Sequence, residues 1–156
     1  MICQFSFQNF RSYKNETVFD MQATSAPEMS GSLIAAEGGS PLLPISVVYG
    51  PNGGGKSNLI KAFSALISMV VRPIHELKKN QNPIIIQYHS SCIPFAFDED
   101  SENNATEFLL YFRTRSHEYQ YFISVLRDTV ISESLHFKPI GGRMSKLFER
   151  EDGKIT

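Results

Sequence analysis

The chain has 156 residues, 42% hydrophobic and 20% charged, with 15 basic side chains against 16 acidic ones and a net charge of −1. That is the profile of one globular domain long enough to bury a core, and it excludes a large basic surface as a demand of composition, though not a local basic patch. No apolar run reaches the roughly eighteen residues that span a bilayer, and Met1-Ile2-Cys3-Gln4 opens no signal peptide, so a cytoplasmic protein with no membrane partner is expected, with Cys3 and Cys92 reduced.

Cys3, Phe5 and Phe7 alternate with Gln4, Ser6 and Gln8, which predicts a half-buried strand. Residues 9–15 form a turn, and Thr17, Phe19 and Met21 alternate again, so the two strands are expected to pair as a hairpin. Residues 23–44 are rich in Ala, Ser, Gly and Pro and predict a loop. The run Ile45-Ser46-Val47-Val48-Tyr49 predicts a short apolar strand leading into a glycine-rich segment. Beyond it the period becomes helical, with Leu59, Phe63, Leu66, Ile67 and Val70 on one face and Pro73 as the stop. Residues 75–92 are polar apart from a short candidate strand at Ile84-Ile85-Ile86. The last third predicts an antiparallel meander: Phe108, Leu110 and Phe112; Tyr119, Tyr121, Ile123 and Val125; then Ile131, Leu135 and Phe137. A polar tail follows from Gly141 to Thr156.

The segment Gly50-Pro51-Asn52-Gly53-Gly54-Gly55-Lys56-Ser57 meets the spacing Gly-x-x-x-x-Gly-Lys-Ser in full. The chemistry explains the residue types. Glycines let the backbone turn so that successive N–H groups converge on phosphate oxygens, and the next helix adds its free N–H groups and positive dipole end. A lysine then reaches the β- and γ-phosphates, and a Ser hydroxyl ligates magnesium. With Gly at about 7% of residues, and Lys and Ser/Thr taken at about 6% and 12%, chance produces this pattern in about one chain in 200 of this length. An apolar run before the motif and a helical pattern after it sharpen the signal. The expected cofactors are ATP and Mg2+, with Lys56 on the phosphates and Ser57 as the protein's metal ligand.

The stretch from Val47 to Ala62, with Gly50-Pro51-Asn52-Gly53-Gly54-Gly55-Lys56-Ser57-Asn58 at its centre, resembles the GxNGxGKSN loop of ABC-type ATPases, among them the SMC, RecF-like and OLD-like proteins. The opening Phe5-x-Phe7-x-Asn9-Phe10-Arg11-Ser12-Tyr13 is similar to the first strand and turn of the same group. So are Tyr119-x-Tyr121-x-Ile123, Ile131-x-Glu133-x-Leu135 and Leu147-Phe148-Glu149-Arg150. Together they resemble the bacterial OLD-like AAA-type ATPases linked to abortive infection and phage defence. The resemblance implies a partial α/β lobe of ABC-type P-loop fold, built from an N-terminal β-hairpin, the P-loop with its helix, and an antiparallel meander. It also implies that Asn52 and Asn58 flank the phosphates with Gly53, Gly54, Gly55, Lys56 and Ser57, and that Arg11 approaches the nucleotide. Taken alone, an Arg in a polar turn is as readily a solvated side chain.

ATP hydrolysis in such proteins uses a Walker B strand ending in an acidic pair, a signature motif from a second subunit and a switch histidine. None has a plausible place here. Residues 93–99, ending in Asp98-Glu99, imitate a Walker B, but Pro94 removes a donor that a central strand needs and the residues that follow read as a solvated loop. Residues 1–156 are therefore expected to be one N-terminal lobe that binds nucleotide and turns it over poorly or not at all. Its expected partners are the missing C-terminal lobe or a second ATPase subunit, with a homodimer and DNA reached through the assembly left open. The competing reading is a nucleic-acid or protein interaction module with a vestigial P-loop. A self-sufficient kinase or GTPase fares worse, because no Asn-Lys-x-Asp guanine motif occurs.

The remaining candidates read as ordinary surface. His75, His89, His117 and His136 lack metal-ligand spacing, and Gln87 reads as polar surface. The basic clusters Lys78-Lys79, Arg113-Thr114-Arg115 and Arg143 with Lys146 read as solvated edges, the second with an option on tracking a nucleic-acid backbone.

Overall fold

A computed structural model describes residues 1–24, 31–36, 39–79, 92–127, 129–151 and 153–156. The candidate strand at 84–86 and the side chains of His75, Lys78, Lys79, Gln87 and His89 lie outside the described set.

The alternating first segment forms β1 (Ile2–Gln8), which turns back into β2 (Thr17–Asp20), with Phe5 opposite Phe19. Then come β3 (Ile34–Ala36), β4 (Gly39–Leu42), the helix α1 (Lys56–Lys79), and the long strands β5 (Thr106–Arg113), β6 (His117–Leu126) and β7 (Thr129–Pro139). Two shorter strands, β8 (Ser145–Glu151) and β9 (Lys154–Ile155), close the chain. The main sheet has seven strands in the order β2-β1-β5-β6-β7-β8-β9, every neighbour antiparallel. The expected hairpin and meander are both present, and the meander continues through the polar tail as β8 and β9.

One face of this sheet is aromatic. Phe5, Phe7, Phe10 and Phe108 are all but fully buried, and Tyr121, Ile123 and Val125 extend the layer. The helix α1 covers it with Leu59, Ala62, Ala65, Leu66 and Met69. Phe63 adds a ring 4.1 Å from that of Phe5. Each large side chain buried there contributes about 1.5–3 kcal/mol.

Four expectations about the elements are corrected. The helical stripe is rotated: Ile67 and Val70 are exposed, while Ala62, Ala65 and Met69 take the buried positions. Small alanines let the helix axis approach the bulky rings. The helix also runs through Pro73 to Lys79, because a proline removes one donor and kinks a helix without having to end it. Within the expected loop at 23–44, β3 and β4 pair as a second small sheet. It is tied to the main sheet where Arg113 Nη1 donates to the Ser40 carbonyl at 3.0 Å. Finally, residues 45–49 form no strand. No hydrogen bond holds their backbone among the described residues, and Ile45, Val47 and Tyr49 are 74%, 74% and 90% exposed.

The cluster at Arg113 is also different from a solvated edge. Arg113 is buried, and its Nε and Nη2 reach Glu118 Oε1 at 3.1 and 2.8 Å, while Lys138 holds the other carboxylate oxygen at 2.9 Å. No helix among the described residues is long and apolar enough to cross a membrane, which says nothing of β-barrels.

Candidate phosphate-binding site

The segment from Gly50 to Gly55 runs in irregular backbone straight into the first residue of α1, Lys56. Gly53 and Gly55 adopt φ of +81° and +84°, a left-handed conformation that glycine enters at no steric cost. Such a conformation is what a loop needs if successive peptide N–H groups are to turn toward one side. Gly54 N donates to the Pro51 carbonyl at 3.2 Å, and Asn58 N and Leu59 N both donate to the Gly55 carbonyl. The N–H groups of Gly53, Gly55, Lys56 and Ser57 donate to nothing among the described residues. Four free donors at one helix end, with no acidic side chain in the first turn, form a site whose electrostatics call for an anion.

The expected residues sit around it as follows. Lys56 Nζ folds back on the loop and donates to the carbonyls of Gly50 and Pro51, both at 2.7 Å. Ser57 and Asn52 are exposed, and Asn58 Nδ2 donates to Ser12 Oγ at 2.9 Å. Gly54 approaches Pro51 closely. Arg11 stands in the turn after β1 with φ +52°, its N–H on the Ile93 carbonyl at 2.8 Å and its guanidinium 5.6 Å from the Phe10 ring centre. Its Nε is buried without a hydrogen-bond partner.

The turn that carries Arg11 lies directly on the loop. Tyr13 Oη donates to the Gly55 carbonyl at 3.3 Å, so residues 12, 13, 55 and 58 meet. Ser12 and Tyr13 carry no role in the sequence reading. The signal was their place in the Phe10-Arg11-Ser12-Tyr13 stretch, but no spacing rule brings a turn to a loop forty residues on.

Asp98, the end of the Walker B imitation, forms an ion pair with Lys14 on a surface turn. That pairing and a hydrogen bond from the Asp100 N–H hold its carboxyl below the usual range. Phe97 beside it is exposed. A cavity of about 700 Å3 opens between Met1, Ile34, Arg113 and Ile140 and includes no residue of the 50–58 loop. Among the described residues no group of His, Cys, Asp and Glu gathers as a metal site.

An antiparallel sheet with one helix packed across it is compatible with a partial α/β lobe of P-loop type. Residues 45–152 match the family described as "AAA domain, putative AbiEii toxin, Type IV TA system". The match covers more than half of the chain, so the chain belongs to this family of P-loop AAA-type ATPase domains associated with abortive infection. No curated protein matches it. The family supplies a nucleotide-binding class of function, with magnesium as the usual companion of the nucleotide. The matched stretch begins at Ile45, so β1, β2 and the Arg11 turn lie outside it.

Proposed function

We infer that this chain is the ATP- and magnesium-binding lobe of an OLD-like, ABC-type ATPase, serving phage defence or DNA processing within a larger assembly. The observation that carries this reading is the set of four free N–H donors at the start of α1, in a loop whose sequence is a complete Walker A. Those donors fit a phosphate chain. The Lys56 ammonium supplies the mobile positive charge, the Ser57 hydroxyl offers an oxygen to magnesium, and Asn52 and Asn58 flank the loop. Arg11 has a buried Nε without a partner, which suits a side chain whose ligand is a nucleotide. Bound magnesium would neutralise phosphate charge.

The unpaired run at 45–49 supports the need for a second lobe or subunit. Five residues that are apolar or small, exposed on both faces, have the composition of a central strand buried between neighbours. With no acidic cluster for the metal among the described residues, the chain on its own is expected to bind nucleotide and not to turn it over above background.

Titration of labelled ATP with and without magnesium tests the reading, with Lys56→Ala as control. Saturable binding that strengthens with magnesium and weakens at least tenfold in the variant is expected. Binding that is absent, or indifferent to Lys56, would overturn it and leave an interaction module with a vestigial loop.

A further inference from the structure

We propose that Tyr13, with Ser12 beside it, is a positioning residue for the phosphate loop, acting on the peptide plane between Gly55 and Lys56 and not on the nucleotide. The proposal rests on the nucleotide-binding reading above and deepens it.

In a trans peptide the C=O of one residue and the N–H of the next point in opposite directions. The described peptide bonds are all trans. Fixing the Gly55 carbonyl therefore fixes the aim of the Lys56 N–H, one of the four free donors. Three groups hold that carbonyl: Asn58 N at 2.7 Å, Leu59 N at 3.3 Å and Tyr13 Oη at 3.3 Å. The first two belong to the helix itself. Tyr13 alone reaches it from a different part of the chain, and it sets the helix's first peptide plane against the sheet.

The turn that delivers Tyr13 is firmly held. Its backbone closes on itself, Phe10 N to the Tyr13 carbonyl at 2.8 Å and Tyr13 N to the Phe10 carbonyl at 2.9 Å. The Tyr13 ring packs edge-on against buried Phe7, with centres 5.0 Å apart. At the base of the turn, Asn9 Nδ2 donates to the carbonyls of Ser101 and Asn104, both at 2.8 Å, and its Oδ1 accepts from Phe95 N at 3.0 Å. Ser12 adds a second contact by accepting from Asn58 Nδ2. The fit is close: a Cβ placed on Gly55 would stand 3.1 Å from both Ser12 Oγ and Tyr13 Oη. A side chain that served only to fill the core would need the Tyr13 ring and not its hydroxyl.

Tyr13→Phe removes the hydroxyl and keeps the ring on Phe7, and Ser12→Ala removes the second contact. Both variants and the parent chain are titrated with magnesium ATP and with magnesium pyrophosphate, the latter by competition against labelled ATP. The Lys56 amide resonance is followed alongside, with thermal melting as the stability control. Tyr13→Phe is expected to weaken ATP and pyrophosphate by the same factor, about three- to tenfold. It should shift the Lys56 amide resonance before any ligand is added and leave the melting temperature in place. Ser12→Ala is expected to weaken both ligands in the same ratio to one another. Parent-like affinity in Tyr13→Phe overturns the proposal, and so does a loss for ATP without a loss for pyrophosphate, which would put Tyr13 on the nucleoside. A parent chain that binds neither ligand overturns the nucleotide-binding reading itself and the proposal with it.

Discussion

Lys56 places its charge on two carbonyls of its own loop, and under the proposed function it exchanges those bonds for phosphate oxygens when a nucleotide enters. Charge-assisted hydrogen bonds to a phosphate are the stronger kind, so the exchange runs toward the ligand. Since Nζ lies at an exposed site, Lys56→Ala is expected to change folding stability by only about 0.5 kcal/mol while abolishing most nucleotide binding. Urea denaturation beside the ATP titration checks both halves. Gly55 is the opposite case. Its φ of +84° and the close approach of Ser12 and Tyr13 mean that Gly55→Ala should cost about 1–3 kcal/mol, read from the same denaturation curve. Glu118 gives a pH signature. Lys138, and then Arg113, hold its carboxyl below the ordinary value of 4.5 against the opposing effect of burial. A depressed folded pKa contributes stability that is fully present above 4.5 and is lost as the pH falls through the lower folded value. Denaturation midpoints of the parent should therefore drop more steeply below pH 4.5 than those of Glu118→Gln. Asp98 shares the same direction, so some slope remains in the variant.

At the level of elements, the sequence was most legible where alternation is strict. The three meander strands and the first hairpin lie where the period-two pattern put them, except that the register shifts at Ile131, which is exposed while Val130 packs on the core. The helix was legible in place but not in aim. Leu59, Phe63 and Leu66 do meet the sheet, but Ile67 and Val70 face away, and Ala62, Ala65 and Met69 complete the contact with the aromatic layer. Ala62→Leu is thus expected to cost about 1–3 kcal/mol by overpacking, whereas Ile67→Ala on the exposed side stays within about 0.5 kcal/mol. Thermal melts of the two variants distinguish the faces. The β3–β4 pair was illegible because its residues carry almost no apolar alternation, and it is anchored by backbone hydrogen bonds to residues 21–23 and by a guanidinium more than seventy positions away. The site was half legible. The motif gives the loop and its donors by spacing alone, but the buttressing turn is a tertiary contact that no local pattern encodes.

On the scale of the whole molecule, residues 45–49 teach what a hydrophobic run can and cannot say. It reports that a segment belongs in an interior, not which neighbours make that interior. Here Ile45, Val47 and Tyr49, together with Ile60 and Ile67 on the outer side of α1, stand in water, and exposed apolar residues with an unpaired backbone favour association. Sedimentation of the isolated chain is expected to depend on concentration. Val47→Lys should weaken that dependence without moving the melting temperature, because Val47 touches no part of the core.

The place of β1 in the sheet has a consequence in time. It is made about a hundred residues before β5, yet it lies between β2 and β5, with Phe5 opposite Leu110. During synthesis it can pair on one edge only, and its other edge stays open until the chain has been extended past Arg113. Such long-range pairing makes for slow folding. The emerging chain must keep one edge of its aromatic β1 waiting, and the turn that will later press on the phosphate loop acquires its contacts with residues 95–106 only shortly before that wait ends.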